Sequence, residues 1–260
     1  EEKIELTFGV DDMVTLTTGT QSTGQGHETS FPQIVSDLLG VPFECIRYRH
    51  GDTGLISKGG GHSSSRATYM GGTAIFMAIE QIVKKGLPLA ANALEAAEAD
   101  ISFTDGEYRV TGTDLAIDIR SVAHIARDSG MRSKTGDVGL DTTQEFEREF
   151  MTYPNGCHVA EVEIDPDTGK TSVVRYSAVD DYGVMVNPVL VSGQVHGAIA
   201  QGIGQALMEE AVYDVSTGQL ISGSFMEYAM PRADDLPAFD VIFNCVPCKT
   251  NPLGVKGCGE

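Results

Sequence analysis

Three glycine-containing segments, each placed before a predicted helix, constrain this chain more than any other feature. They are Gly-Gln-Gly-His at 24–27, Gly-Gly-Gly-His-Ser-Ser-Ser at 59–65 and Ser-Gly-Gln at 192–194. Small residues before a helix leave the first-turn N–H groups accessible, and the helix dipole favours an anion there. A glutamine offers both a donor and an acceptor, which suits a heterocycle or a phosphate ester. Ordinary helix caps explain each segment alone, but the three together indicate a bound anionic cofactor.

The first forty residues have the pattern of a hairpin followed by a helix. Alternation of apolar and polar residues predicts strands over 3–8 and 13–18. An apolar stripe then predicts a helix from Phe31, with Thr29 or Ser30 as N-cap and Pro32 in the first turn. Gly40 is expected to end that helix.

The rest of the chain shows strands and helices without a strict βαβ rhythm. The glycine run predicts a second helix reaching about Lys85, and a third is predicted from Ser192 to about Ala211. We further expect a short strand at 45–48, hairpins at 101–110 and 158–179, and a weaker helix at 121–128. The segment 131–154 is polar and irregular, which makes it the candidate internal boundary. These patterns predict an α+β fold of mixed two-layer sheets packed with helices, in two similar-sized lobes.

Charge and hydropathy exclude several classes of function. The net charge of −19 and the absence of a Lys/Arg cluster disfavour nucleic acid and anionic lipid as partners. An anionic cofactor would therefore be held locally, by neutral donors and Arg66. No run of 18 apolar residues predicts a membrane span, and no secretion signal is visible, so we expect a cytoplasmic protein. Because the chain begins with Glu1, we expect it to be a piece of a longer protein.

The cysteines and the histidines have structural interpretations. Five cysteines, an odd number, predict reduced thiols, and the lone pair Cys245 and Cys248 lacks the second pair that a zinc site needs. We expect His62 and His196 at helix starts, His124 on a helix and His158 on a strand, all with structural roles. Asp180 and Asp181 are interpreted as turn residues. The standard phosphate-loop and dinucleotide glycine motifs do not fit the chain.

Seven separated blocks together resemble the molybdenum hydroxylase family of xanthine dehydrogenases, aldehyde oxidases and aerobic carbon monoxide dehydrogenases. The blocks are TGQGHETSFPQIVSDLLGVP, GDTG, GGGHSSSRATYMGG, YPNGCHVAEVEIDPDTGK, VDDYGVMVNP, SGQVHGAIAQGIGQAL and NPLGVKGCGE. They cover nearly the whole chain in the family's order. The chain resembles the second, C-terminal molybdopterin-binding unit of the family's large subunit, spanning 1–260.

The resemblance implies a set of cofactor contacts and no protein ligand to the metal. It implies that the loop 23–27 lines the molybdopterin and that 64–67 holds the pterin or its phosphate. Gln194 would reach the cofactor from the third predicted helix, and Gln201 is a second candidate there. The individual residues are Thr23, Gly24, Gln25, Gly26, His27, Ser64, Ser65, Arg66, Ala67 and Gln194. Whether the cofactor is the mononucleotide or the cytosine dinucleotide stays open.

The resemblance also implies a catalytic carboxylate. The terminal Gly-Cys-Gly-Glu is similar to the family's Gly-Val-Gly-Glu type of motif, so Glu260 would be the general base in an oxidation that uses water as the oxygen source. Cys258 stands where a valine or other small residue is common. The substrate would be an aldehyde, an N-heterocycle, a purine or carbon monoxide.

The family's remaining parts would lie outside this chain. We expect the N-terminal remainder of the large subunit, together with iron–sulfur and FAD subunits or domains, as partners. The chain alone is then expected to be inactive and to expose surfaces that favour partners or self-association. Two alternatives stay open: a non-catalytic, stand-alone binding or interaction module of the same fold, and a nucleotide-binding oxidoreductase that uses the glycine loops.

Overall fold

A computed structural model describes residues 1–132 and 136–259. Its described residues form ten strands and four α-helices, which we number in chain order. The strands are β1 (Glu2–Phe8), β2 (Val14–Thr18), β3 (Ile46–His50), β4 (Ile101–Thr104), β5 (Glu107–Val110), β6 (Ala116–Asp118), β7 (Thr142–Phe146), β8 (Asn155–Ile164), β9 (Thr171–Asp181) and β10 (Phe239–Phe243). The helices are α1 (His27–Leu39), α2 (Ala67–Ala93), α3 (Ile119–Asp128) and α4 (Pro188–Leu207). The predicted α+β class is confirmed.

The chain divides into two compact units. The first comprises Glu1–Thr152 and Cys248–Val255, and the second comprises Tyr153–Pro247 and the segment that begins at Lys256. None of the helices in the described residues has the length and apolar character that crossing a bilayer requires.

The first unit is built on a four-stranded sheet of order β3-β2-β1-β7. β1 pairs antiparallel with both β2 and β7, whereas β2 and β3 are parallel. Alternation puts Ile4, Leu6 and Phe8 into the core. A smaller antiparallel sheet, β4-β5-β6, lies in the same unit.

Small residues of α2 allow close packing inside the first unit. A Cβ added at Gly71 would lie 2.7 Å from the Phe31 ring of α1, and one at Gly86 would lie 2.1 Å from the Tyr108 hydroxyl. Phe31 and Tyr108 are both fully buried. The glycines of α2 therefore serve helix packing and sheet packing in the core.

The second unit packs α4 with a three-stranded sheet of order β10-β9-β8. β8 and β9 form the predicted antiparallel hairpin, and β10 adds in parallel to β9. Its core cluster joins Val195, Ile199 and Ile203 of α4 to Tyr182, which follows β9.

Two helix starts differ from the sequence prediction. α1 begins at His27 behind Gly26, which has a left-handed backbone and no side-chain cap, so Thr29 and Ser30 are not N-caps. Pro32 consequently lies in the second turn. α4 begins at Pro188, because Asn187 caps it by accepting a hydrogen bond from Leu190 N at 3.1 Å. The segment 192–194 is therefore inside α4 and not before it.

Three further elements differ from the prediction. α2 continues through Pro88 to Ala93 and does not end near Lys85. The segment 131–154, predicted to be irregular, contains β7, although residues 133–135 within it lie outside the described residues. β10 was not predicted at all. The predicted ends of α1 at Gly40 and of the strands around Asp105-Gly106 are confirmed.

Candidate cofactor site

The loop before α1 holds its own shape and leaves one side open. Gly24 and Gly26 have left-handed φ values of 110° and 82°. The side-chain oxygen of Gln25 accepts a hydrogen bond from Thr23 N at 2.5 Å, and its nitrogen donates to the Gln21 carbonyl at 3.3 Å. A Cβ added at Gly24 would meet nothing within 4 Å. The loop is thus ordered by its own amides, and a group from outside can approach its backbone at Gly24.

His27, the first residue of α1, is buried with an unused polar atom. Its ring stacks on Phe31 with centroids 4.6 Å apart, and its Nδ1 has no hydrogen-bond partner among the described residues. Burial lowers the pKa of His27 to about 4, and the neighbouring His62 and His50 act in the same direction. The imidazole is therefore neutral at pH 7 and can hydrogen-bond without adding charge.

The loop before α2 is strained and places an arginine at the helix start. Ser64 and Ser65 have positive φ values of 56° and 44°, a conformation that costs a non-glycine residue about 1–2 kcal/mol. Arg66 is the N-cap residue of α2, and Ala67 is the buried first residue of the helix. The Arg66 Nε atom is buried and has no hydrogen-bond partner in the described structure. An arginine at the N-cap is close in sequence to the free N–H groups and the positive dipole end of α2, and an anionic group could be shared by both.

The Glu2 carboxylate hydrogen-bonds to the chain near both loops and so joins them. One carboxylate oxygen accepts Thr20 N at 2.7 Å and the other accepts Gly60 N at 2.9 Å. The backbones also approach closely, because a Cβ added at Gly59 would lie 2.4 Å from the Gly19 oxygen. Sequence reasoning missed Glu2, which is fully buried. The strand pattern could have indicated it, because Glu2 lies two residues before Ile4 and therefore on the same, buried face of β1.

In the second unit, Gln194 lies beside the end of the described chain. A Cβ added at Gly259 would be 3.3 Å from the Gln194 Cβ, and Gly259 has a left-handed φ of 80°. Glu260, the predicted catalytic residue, lies outside the described residues. Each unit thus holds part of the predicted set. The convergence of Gln194 and Glu260 with the two loops stays a prediction.

The predicted positions of the histidines and aspartates are confirmed for some residues and wrong for others. His124 is on α3 and His158 on β8, as predicted. His196 is not at a helix start; it lies inside α4 with its ring edge against Phe239. Asp180 is not a turn residue: it is a buried residue within β9, and its carboxylate accepts hydrogen bonds from His158 and the Tyr182 hydroxyl. In the part of the chain that the structure describes, no three His, Cys, Asp or Glu residues cluster as a metal site.

Comparisons with known proteins identify the family of the chain. A family model described as a molybdopterin cofactor-binding domain matches residues 1–237. Subunit gamma of the 6-hydroxypseudooxynicotine dehydrogenase complex of Paenarthrobacter nicotinovorans is 38% identical over 248 residues, which cover 95% of this chain and 31% of that protein.

Two solved structures are similar over nearly the whole chain. Reconstituted CO dehydrogenase from Oligotropha carboxidovorans superposes with a TM-score of 0.90 at 31% identity, over 99% of this chain and 32% of that one. Quinoline 2-oxidoreductase from Pseudomonas putida 86 superposes with a TM-score of 0.85 at 35% identity, over 99% and 33%. The chain therefore spans about a third of the length of these relatives.

Proposed function

Because the chain belongs to the molybdopterin cofactor-binding domain family, we propose that it is the second, C-terminal molybdopterin-binding unit of a molybdenum hydroxylase large subunit. The remainder of that subunit, with iron–sulfur and FAD subunits or domains, completes the enzyme. Its substrate is a small molecule: an aldehyde, an N-heterocycle, a purine or carbon monoxide. Its place in the cell is the cytoplasm. The observation that supports the proposal is that Glu2 joins the segments of the two loops, each of which contains a buried polar atom without a partner in the described structure.

The residues of the first unit fit an anionic organic cofactor. His27 Nδ1 and Arg66 Nε are buried polar atoms without a partner in the described structure, and a bound pterin or phosphate would supply partners for such atoms. The backbone is open at Gly24. We assign the pterin side to Thr23, Gly24, Gln25, Gly26 and His27, and the phosphate side to Ser64, Ser65, Arg66 and Ala67. Gln194 contacts the cofactor from α4.

In this proposal the chain binds the cofactor, and its Glu260 accepts one proton during the reaction. When bound, the cofactor supplies a two-electron acceptor and a water-derived oxygen for the substrate carbon. Glu260 takes the proton from the attacking oxygen as general base. The amide of Gln25 is oriented by Thr23 and Gln21, and this preorganisation lets it donate without a rearrangement of the loop.

Analysis of the full-length complex tests the proposal. We expect molybdenum and pterin in the purified complex, followed by turnover in a screen with an artificial electron acceptor. Acid release of a cytidine nucleotide would identify the dinucleotide form. A full-length complex without molybdenum or pterin would contradict the proposal. Assembly with partner subunits but without cofactor would support the alternative, a non-catalytic module of the same fold.

A further inference from the structure

The segment that leads to Glu260 is attached to the end of β9 by contacts that the proton transfer itself does not use. Lys256 Nζ lies 2.5 Å from Asp181 Oδ2, and the two side chains are only 12% and 13% exposed. The backbone N–H of Lys256 also donates to the Tyr182 carbonyl at 3.0 Å. The segment is thus held through both its side chain and its backbone at its first residue.

Asp181 is itself held rigidly. Its Oδ1 accepts Gly183 N at 2.9 Å and Val246 N at 3.0 Å, while its Oδ2 accepts Lys256. Burial acts to raise the pKa of Asp181, but the hydrogen bonds from Lys256, Val246 and Gly183 outweigh it and lower the pKa to about 2. The carboxylate stays charged at neutral pH and offers Lys256 a fixed anchor.

The other end of the segment is held by Tyr182. The Tyr182 side chain is buried, and its hydroxyl donates to Asp180 Oδ2 at 3.0 Å. The backbone amide of Gly259 lies near enough to the same hydroxyl to act toward lowering its pKa, against the larger effect of burial. Cys258, between the two anchors, packs against the core cluster of the second unit. Four consecutive residues, 256–259, are therefore fixed at both ends and in the middle.

We propose that Lys256, Asp181 and Tyr182 are positioning residues that fix the backbone of 256–259 and thereby aim the carboxylate of Glu260. The inference rests on the proposed function of Glu260 as the base. Gly257 and Gly259 have no side chains to restrict the segment, so its direction depends on the anchors. A proton acceptor must lie within hydrogen-bond reach of the proton that it removes, and small displacements are costly.

Kinetics of the complete enzyme test this role. We would compare the parent, Lys256→Met, Lys256→Arg and Tyr182→Phe, each assembled with its partner subunits. The assay uses the substrate that the parent oxidises best among quinoline, benzaldehyde, xanthine and carbon monoxide, with dichlorophenolindophenol as acceptor. Lys170→Met, an exposed lysine of the β8–β9 turn, is the matched control. Molybdenum content is measured for every variant.

We expect kcat to fall about tenfold or more in Lys256→Met, with KM and molybdenum content within about twofold of the parent. Lys256→Arg should restore most of kcat, because it keeps the charge that Asp181 binds. Tyr182→Phe should lower kcat by a smaller factor, since it leaves the Lys256–Asp181 ion pair in place and removes only the contacts of the Tyr182 hydroxyl to Gly259 and Asp180. Lys170→Met should match the parent.

Two results would overturn the positioning role: an unchanged kcat in both Lys256→Met and Tyr182→Phe, or activity that falls only in proportion to lost molybdenum. The second result would show that the contacts maintain the fold and do not aim the base. A parent complex without molybdenum or turnover would instead remove the proposed function, and this inference with it.

Discussion

At the scale of single residues, His27 shows how burial sets the chemistry of a candidate cofactor contact. The ring is 4% exposed and stacked on Phe31, and this environment lowers its pKa to about 4. The unfolded chain would protonate the same ring near pH 6.5. Between these two values the unfolded state binds a proton that the folded state does not bind.

We therefore expect His27 to make stability depend on pH. Its contribution is fully present above pH 6.5 and is lost as the pH falls toward 4, by up to about 3 kcal/mol. The measurement is denaturant unfolding of the cofactor-free chain from pH 4.5 to 7.5, in the parent and in His27→Gln. The parent should lose stability more steeply on acidification. His124→Gln, at a more exposed ring, is the control, and equal pH dependence in the parent and His27→Gln would contradict the expectation.

Glu260 gives a second prediction at the residue scale. Glu260→Gln keeps the size of the side chain but removes the proton acceptor, so kcat of the assembled enzyme should fall by roughly a hundred- to ten-thousand-fold. Molybdenum content should remain that of the parent. Glu210→Gln, an exposed acid after α4, should leave kcat unchanged. A Glu260→Gln enzyme that turns over at close to the parental rate would remove Glu260 from the role of base.

At the scale of elements, the sequence predicted local pairings well and distant ones poorly. Asp165 and Gly169 in the turn predict the hairpin of β8 and β9, because these turn residues lie between two strands that are adjacent in the chain. β7 pairs with β1 and β10 pairs in parallel with β9, and both partners are distant in sequence. Their short polar or mixed patterns carry no local signal of these partners.

Helix starts were misplaced where the cap is not the commonest type. Gly26 begins α1 with a left-handed backbone, although Thr29 and Ser30 are better N-cap residues by type. Asn187 and Pro188 form a standard helix start, but the prediction placed the start at Ser192, four residues inside the helix. Two of the three glycine segments precede helices as predicted, and the third lies within one.

Glu2 joins the two helix-leading loops, and its removal should loosen both. In Glu2→Gln one oxygen is replaced by a nitrogen that cannot accept the amide of Thr20 or Gly60, so one buried donor loses its partner. We expect the free energy of unfolding to fall by about 1–3 kcal/mol. Hydrogen exchange should accelerate at whichever of Thr20 and Gly60 loses its acceptor.

Glu5→Gln is the matched control for Glu2→Gln. Glu5 lies on the same strand but pairs with Lys3 at 3.2 Å on the more exposed face, where such a pair contributes about 0–1 kcal/mol. Equal losses of stability in the two variants would show that the buried carboxylate does not join the loops.

At the scale of the whole molecule, the proposed binding of an anionic cofactor has to take place on an acidic protein, so it depends on local groups. A net charge of −19 repels anions over the surface as a whole. The proposed site would nevertheless use backbone amides, a neutral His27 and the guanidinium of Arg66. The composition indicated that local neutral donors and Arg66 would hold an anion. It did not indicate the role of Glu2, because the net charge does not show which acids are buried.

The edge strand β8 should make the separately produced chain self-associate. β8 ends its sheet, and all ten of its residues are exposed, including Val159 at 60% and Ile164 at 61%. An exposed, apolar edge strand pairs readily with another chain, and lysines on the edge prevent this. We expect the double variant Val159→Lys/Ile164→Lys to remain monomeric in sedimentation velocity at concentrations where the parent associates.

A control with the same charge separates strand pairing from electrostatics. Both the β8 double variant and Val10→Lys/Val215→Lys change the net charge from −19 to −17, which weakens repulsion between chains and by itself favours association. Val10 and Val215 are exposed and lie outside the strands. The control should therefore associate at least as strongly as the parent. If both double variants associate like the parent, β8 is not the contact.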